Sequence, residues 1–112
     1  MIIVSGKIYV CPGARHEFLA SSLEAVVQAR RSPGCRDFVV EVEADPLEPD
    51  RVNVYEEWES EEALLTFRGD GPGEDLSSKI VRADVARHVV ASSGPPQQAA
   101  VYRPRSGRAF QK

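Results

Sequence analysis

Cysteine and histidine are scarce in this 112-residue sequence, which contains two of each. Cys11 and Cys35 are too few for a disulfide scaffold, and no partner residues stand at the spacing of a zinc site. Cys11 ends the first predicted strand and Cys35 precedes the second, so a sheet would hold them at opposite ends. His16 and His88 are far apart in the sequence. We therefore expect two free thiols and no metal site.

Long apolar runs and an excess of basic charge are also missing. No stretch approaches the roughly 20 apolar residues of a membrane span, and a strand pattern begins at Ile2 without a basic and apolar leader. Fourteen basic residues stand against 17 acidic ones, a net charge of −3, and the first 100 residues contain no basic stripe. We expect a cytoplasmic protein that binds neither nucleic acid nor membrane.

The sequence does contain an ordered series of short strand and helix patterns. Alternating residues predict strands over 2–10, 37–43, 52–58 and 84–92, and helical spacing predicts helices over 14–30 and 60–67 with a shorter one over 76–82. This order is typical of an α+β, ferredoxin-like antiparallel sheet with the helices on one face. We assign 1–94 to this domain and 95–112 to a C-terminal extension with a short strand over 99–102 and a flexible basic tail.

The two faces of the predicted sheet differ in polarity. The first strand directs an apolar face towards the helices, and the first helix offers an apolar stripe that includes Leu23, Val26 and Val27. The opposite sheet face mixes apolar with polar residues and has no helix to cover it. A second copy of the chain would cover such a face better than water, so we expect a homodimer. The apolar members of this face are Tyr9, Val39, Tyr55 and Val90.

The stretch from Val52 to Phe67 changes period from two to that of a helix. Its strand half ends at Trp58, the only tryptophan, and Ser60 follows as the predicted N-cap of the second helix. Together with Pro33-Gly34-Cys35 before the second strand, the motif Tyr55-Glu56-Glu57-Trp58-Glu59-Ser60 resembles the antibiotic biosynthesis monooxygenase (ABM) family. The resemblance covers about residues 1–92 in element order.

The resemblance implies a dimeric α+β barrel in which each subunit keeps a cleft between its own sheet and helices. It also implies a monooxygenase that needs no cofactor and acts on a small aromatic phenol, quinol or anthrone. A haem-degrading branch of the same superfamily uses an asparagine, a tryptophan and a histidine where this chain has Gly6, Phe67 and Ser77. We therefore expect no haem, and no other cofactor.

Five residues are predicted to bind the aromatic ligand. Gly6 lies within an apolar strand, where a missing side chain allows a ligand or a backbone to approach closely. Trp58 is interpreted both as a core anchor and as a cleft wall. The full set is Gly6, Ile8, Trp58, Leu64 and Phe67.

Catalytic groups are harder to assign. Trp58 and His88 are weak candidates, and a structural role for His88 is the alternative. A cation at the cleft mouth could come from Arg68, Arg82, Arg87 or Lys79, each of which could equally be a solvated charge. Two function classes therefore stay open: the monooxygenase, and a non-catalytic dimeric domain that binds small molecules or is associated with stress.

Overall fold

Four antiparallel strands with two helices on one face form the part of the chain that the computed structural model describes, residues 1–41, 44–69 and 77–96. The elements are β1 (Ile2–Val10), α1 (Arg15–Arg30), β2 (Cys35–Val40), β3 (Arg51–Trp58), α2 (Glu61–Gly69), a 3₁₀ turn (Ser77–Lys79) and β4 (Ile80–Val89). The strand order β2-β3-β1-β4 is that of a ferredoxin-like sheet, so the predicted fold is confirmed. The strand expected over 99–102 and the basic tail lie outside the described residues.

The last strand begins earlier than its sequence pattern indicates. Helical spacing predicts a helix over 76–82. Within 77–82, the described part of that range, Ser77–Lys79 form a single 3₁₀ turn and β4 starts at Ile80. Ile80 and Arg82 pair with Val10 and Tyr9 of β1, with an irregularity in register between these pairs. Pairing with a neighbouring strand satisfies the backbone groups of these residues, and it overrides the local helical spacing.

Helix α1 buries only part of the face that its hydrophobic residues predict, since Val26 packs against the core but Leu23 and Val27 do not. Its buried residues are Phe18, Ser22 and Ala29, whereas Leu23 is 63% exposed and Val27 is also exposed. The core side of the helix therefore combines Phe18 and Val26 with the small side chains of Ser22 and Ala29. Small side chains leave space between the two layers.

The two halves of the sequence motif meet in space at the start of α2. Gly34, in a left-handed conformation with φ of 84°, accepts a hydrogen bond from the Glu59 N–H at 2.8 Å. A Cβ at Gly34 would stand 2.6 Å from the Cβ of Ala63, so only glycine fits there. The Ser60 Oγ accepts the Ala63 N–H at 3.1 Å, which confirms Ser60 as the N-cap.

Gly6 allows close contact between two backbones. A Cβ at this position would overlap the Asp84 carbonyl oxygen and lie 2.7 Å from the Cα of Val85. The space beside Gly6 is therefore filled by β4.

The hydrophobic core is divided into two clusters. The first surrounds the fully buried Trp58, and its other members are Ile2, Val4, Ala29, Phe38, Leu64 and Phe67. The second is smaller and consists of Val10, Phe18 and Val52. Cys11 and Cys35 are both free, as predicted. Neither described helix is long and apolar enough to cross a membrane.

Candidate functional site

A cleft of about 290 Å³ lies between the sheet and α1, with residues of both core clusters in its walls. All four strands, α1 and the end of α2 contribute to it. Its lining residues are Ile8, Phe18, Ser22, Ala25, Phe38, Val40, Val54, Glu56, Arg68 and Val85. The volume is near the lower end of the range for small-molecule sites, about 300–1,000 Å³.

The face of α1 that lines the cleft carries the small residues Ser22 and Ala25 beside Phe18. Phe18, Ser22, Ala25 and Ala29 recur at intervals of four, three and four residues, which places them on one helix face. The Ser22 hydroxyl donates to the Phe18 carbonyl oxygen at 2.7 Å, so this buried polar group is satisfied within its own helix. What the helix presents to the cleft is therefore largely apolar.

One charged pair stands in the otherwise uncharged lining. The Glu56 side chain is only 8% exposed, and its two carboxylate oxygens lie 2.9 and 2.8 Å from the Arg68 Nη2. The indole Nε1–H of Trp58 donates to the Glu56 Oε1 at 3.0 Å. A buried carboxylate needs such partners, because an unpaired charge in an apolar interior costs several kcal/mol, about 3–5 when one member of a buried pair is removed.

Four of the five predicted ligand residues do not line this cleft. Ile8 does line it, but Trp58, Leu64 and Phe67 are buried together in the first core cluster. The Trp58 and Phe67 ring centroids are 5.3 Å apart, so the two rings fill the space that the sequence assigns to a ligand. Gly6 contacts the β4 backbone. The cleft therefore lies mainly against α1, whereas the predicted ligand residues Leu64 and Phe67 belong to α2.

Neither catalytic candidate lies in the cleft. Trp58 reaches it only through its hydrogen bond to Glu56. His88 pairs with Ile3, whose side chain is on the sheet face away from the helices, so His88 lies on the other side of the sheet.

Of the four candidate cations, only Arg68 lines the cleft. Arg87 pairs with Glu61 at 2.7 Å, and Lys79 lies 3.4 Å from Glu17. The guanidinium of Arg82 stands 4.3 Å from the ring centroid of Tyr9.

Glu56 is the site residue that the sequence analysis missed. Most acidic residues around Trp58 belong to the start of α2, and the sequence analysis assigned Glu56 to the same group. A better signal is the strand alternation, since Glu56 shares its face with Val52, Val54 and Trp58. A carboxylate on the inward face of a strand predicts a buried cation or donor nearby.

A second pocket, of about 590 Å³, lies at the junction of α1, the Pro33-Gly34 turn and α2. Gln28, Glu59 and Thr66 are among its lining residues, and Phe67 reaches it from the core. It is larger than the cleft, but Glu59 is exposed to solvent and no buried polar pair lies in its walls among the described residues. We regard the cleft as the better ligand site, because it combines apolar walls with one buried polar pair.

Reactive thiols and metal clusters do not add to the site. Burial raises the pKa of the Cys35 thiol, against the lowering effect of its hydrogen bond to the Asp37 backbone, so this thiol is a poor nucleophile at neutral pH. Over the described residues no group of three or more His, Cys, Asp or Glu side chains could hold a metal ion.

Comparison with known proteins identifies similar sequences and folds. The family profile described as antibiotic biosynthesis monooxygenase matches residues 1–71. No protein of curated function matches the sequence.

Among solved structures, a provisionally named antibiotic biosynthesis monooxygenase of Deinococcus radiodurans aligns with a TM-score of 0.72 at 15% identity, covering 88% of this chain and 100% of that one. A conserved protein of Methanosarcina mazei Go1 aligns with a TM-score of 0.64 at 22% identity, covering 78% of this chain and 89% of that one. At these identities the likeness concerns the fold.

Proposed function

This chain belongs to the antibiotic biosynthesis monooxygenase family, and we propose that it is a cofactor-independent monooxygenase for a small planar phenol, quinol or anthrone. The observation that carries the proposal is the cleft beneath α1, where apolar walls meet a single charged pair, Glu56 and Arg68. A flat aromatic ring matches the walls. The Glu56–Arg68 end of the cleft fixes the orientation of the ring.

The proposed chemistry uses the substrate as the reductant. An electron-rich ring that loses a proton to water, at the half-exposed Arg68 end of the cleft, becomes an anion able to pass electrons to O₂. A carbon–oxygen bond then forms, the O–O bond breaks, and the proton returns to the oxygen that leaves as water. For an activated methylene the balance is R₂CH₂ + O₂ → R₂C=O + H₂O. The protein supplies exclusion of water, orientation and electrostatic stabilisation of the anion.

Each part of the cleft has a defined task in this proposal. Ile8, Val54 and Val85 cover the ring from the sheet side and Ala25 from the helix side. Glu56 and Trp58 hold the guanidinium of Arg68 in one orientation. Pre-organised groups of this kind need little rearrangement when charge develops on the substrate.

The test is oxygen transfer by the purified protein in the presence of a chelator and without added flavin. With an anthrone and ¹⁸O₂, we expect one labelled oxygen atom per carbonyl formed. Ala25→Phe fills the cleft and should abolish turnover, whereas Leu23→Phe, on the exposed face of the same helix, should not. Turnover that survives Ala25→Phe contradicts the assignment of the cleft.

One observation favours the second function, a binding domain without catalysis. Among the described residues that line the cleft, the only ionisable groups are Glu56 and Arg68, and they pair with each other. A free base is therefore not apparent at the ligand position. Saturable ligand binding that Ala25→Phe abolishes, with no oxygen consumed, would establish this alternative.

A further inference from the structure

We infer that Arg68 is the specificity-determining residue of the cleft, and that it selects aromatic ligands with an acidic oxygen, a phenolic hydroxyl or a carboxyl group, over neutral analogues. This inference rests on the proposed function, because it takes the cleft as the ligand site. It adds the group of the ligand that is recognised, its acidic oxygen, and the residue that recognises it.

The first step is the distribution of charge. Glu56 on β3 and Arg68 on α2 are the only ionisable residues that line the cleft within the described part of the chain. The other lining residues, from all four strands and from α1, carry no charge. The ionisation state of a bound ligand therefore depends on these two groups and on the apolar walls.

The second step is the number of hydrogen-bonding positions still open on each partner. Glu56 accepts three hydrogen bonds, one from Trp58 and two from Arg68, and its side chain is 8% exposed. Arg68 uses only Nη2 for that pair and is 47% exposed. Its Nε and Nη1 groups have no hydrogen-bond partner among the described residues. The arginine, not the glutamate, is free to take a further partner.

The third step is the chemistry of that partner. Guanidinium N–H groups only donate, so they bind oxygen acceptors, and they bind anionic ones most strongly. A cationic ligand would have to compete for Glu56, whose oxygens already accept three hydrogen bonds. A phenolate or carboxylate can instead bind the open edge of Arg68 while its ring lies against the apolar walls. The network from Trp58 through Glu56 holds that edge in position.

The experiment uses 1,2-dihydroxyanthraquinone, whose visible absorbance changes when a hydroxyl ionises, and its dimethyl ether. Bound to the wild-type protein, the dihydroxy compound should show an apparent pKa lower than in solution by about 1–3, the usual effect of a neighbouring guanidinium. Because the ether cannot ionise, it should bind on the order of 10- to 100-fold more weakly.

The decisive variant is Glu56→Gln combined with Arg68→Met, which removes both charges and leaves no unpaired carboxylate in the core. The amide oxygen introduced by Glu56→Gln can still accept the Trp58 N–H. In the double variant only the apolar walls of the cleft act on the ligand, so the pKa of the bound hydroxyl should rise above its solution value. Arg68→Lys keeps the positive charge but loses the planar set of guanidinium N–H donors, so the pKa of the bound hydroxyl should be intermediate. Arg87→Met removes an arginine of similar exposure, 48%, from an ion pair outside the cleft and should change nothing.

Each outcome separates the inference from the proposed function. A lowered pKa that persists in the double variant, or equal binding of the ether and the dihydroxy compound, overturns the role of Arg68 and leaves the cleft intact. If the wild-type protein binds neither compound, the cleft is not the ligand site and both proposals fail. Thermal unfolding of each variant shows whether it is folded.

Discussion

At the residue scale, Trp58 connects the core to the cleft. Its ring is fully buried among the largest group of apolar side chains, and its indole N–H fixes the carboxylate that in turn fixes Arg68. The same residue therefore stabilises the fold and orients the polar end of the site. Its two roles can be separated by a substitution that keeps an aromatic ring.

Trp58→Phe should destabilise the protein by about 1–3 kcal/mol, because it leaves a cavity and removes one donor from the buried Glu56. The measurement is urea unfolding followed by circular dichroism. Trp58→Ala should cost more, about 3–5 kcal/mol. A loss below about 0.5 kcal/mol for the phenylalanine variant would show that the indole hydrogen bond and packing contribute little.

Gly6 gives a second prediction at this scale. Gly6→Ala places a Cβ against the Asp84 carbonyl oxygen, so β1 and β4 must separate, at an expected cost of about 1–3 kcal/mol or more. Gly13→Ala is the matched control, since Gly13 also has positive φ but nothing lies within 4 Å of its Cβ position. It should cost less, about 1 kcal/mol, the strain of a Cβ in the left-handed conformation. Equal costs for the two variants would contradict the close approach at Gly6.

At the element scale, the start of α2 depends on its cap. Ser60→Ala removes the acceptor of the Ala63 N–H and should destabilise the protein by about 1 kcal/mol. Ser60→Asp keeps an acceptor at the same position and should be nearly neutral, since an acid also suits a helix N-terminus. Chemical unfolding of both variants tests this. Equal destabilisation by alanine and aspartate would argue against capping.

The connection between β2 and β3 predicts a pH dependence. The Leu47 N–H, with help from the Glu48 N–H and Arg51, lowers the pKa of the Asp45 carboxyl. Because the folded pKa is below the unfolded value, this carboxylate stabilises the fold above the unfolded pKa, about 3.9, and the contribution disappears as the pH falls through the folded pKa. Asp45→Asn keeps an acceptor for the Leu47 N–H, so its main change is the loss of charge.

Thermal unfolding of wild-type and Asp45→Asn proteins across acidic pH is the measurement. We expect the variant to be less stable at pH 7, and the two melting temperatures to converge as the pH falls below about 4. A difference that is constant from neutral to strongly acidic pH would contradict the role of the charge.

Periodicity predicted the elements better than it predicted the site. The strands and the two main helices follow from alternating and helical spacing, and the Ser60 cap follows from one residue. The position of the cleft depends on which helix face meets the sheet. On α1 the sheet buries Ser22 and Ala29 and leaves the more hydrophobic Leu23 exposed, a tertiary outcome that no local pattern contains.

At the scale of the whole molecule, one face of the sheet has no helix packed against it. We propose that two copies pack through it, with Val39 and Tyr55 near the centre, and that the dimer buries about 1,600 Å² or more. Sedimentation should give a dimer at micromolar concentration. Ser5→Arg, beside Tyr55 in the sheet register, should yield monomers, whereas Leu23→Arg on the exposed face of α1 should not. A wild-type monomer would contradict the proposal.

The central claim is that a planar aromatic ligand binds in the cleft beneath α1 with its acidic oxygen at Arg68. The most direct measurement is a crystal structure of the protein with 1,2-dihydroxyanthraquinone. We predict the ring system between Ala25 and the strand residues Ile8 and Val85, with a ligand oxygen within hydrogen-bond distance of the Arg68 guanidinium. A ligand bound instead in the pocket beside Pro33 and Gly34, or on the helix-free sheet face, would contradict the claim.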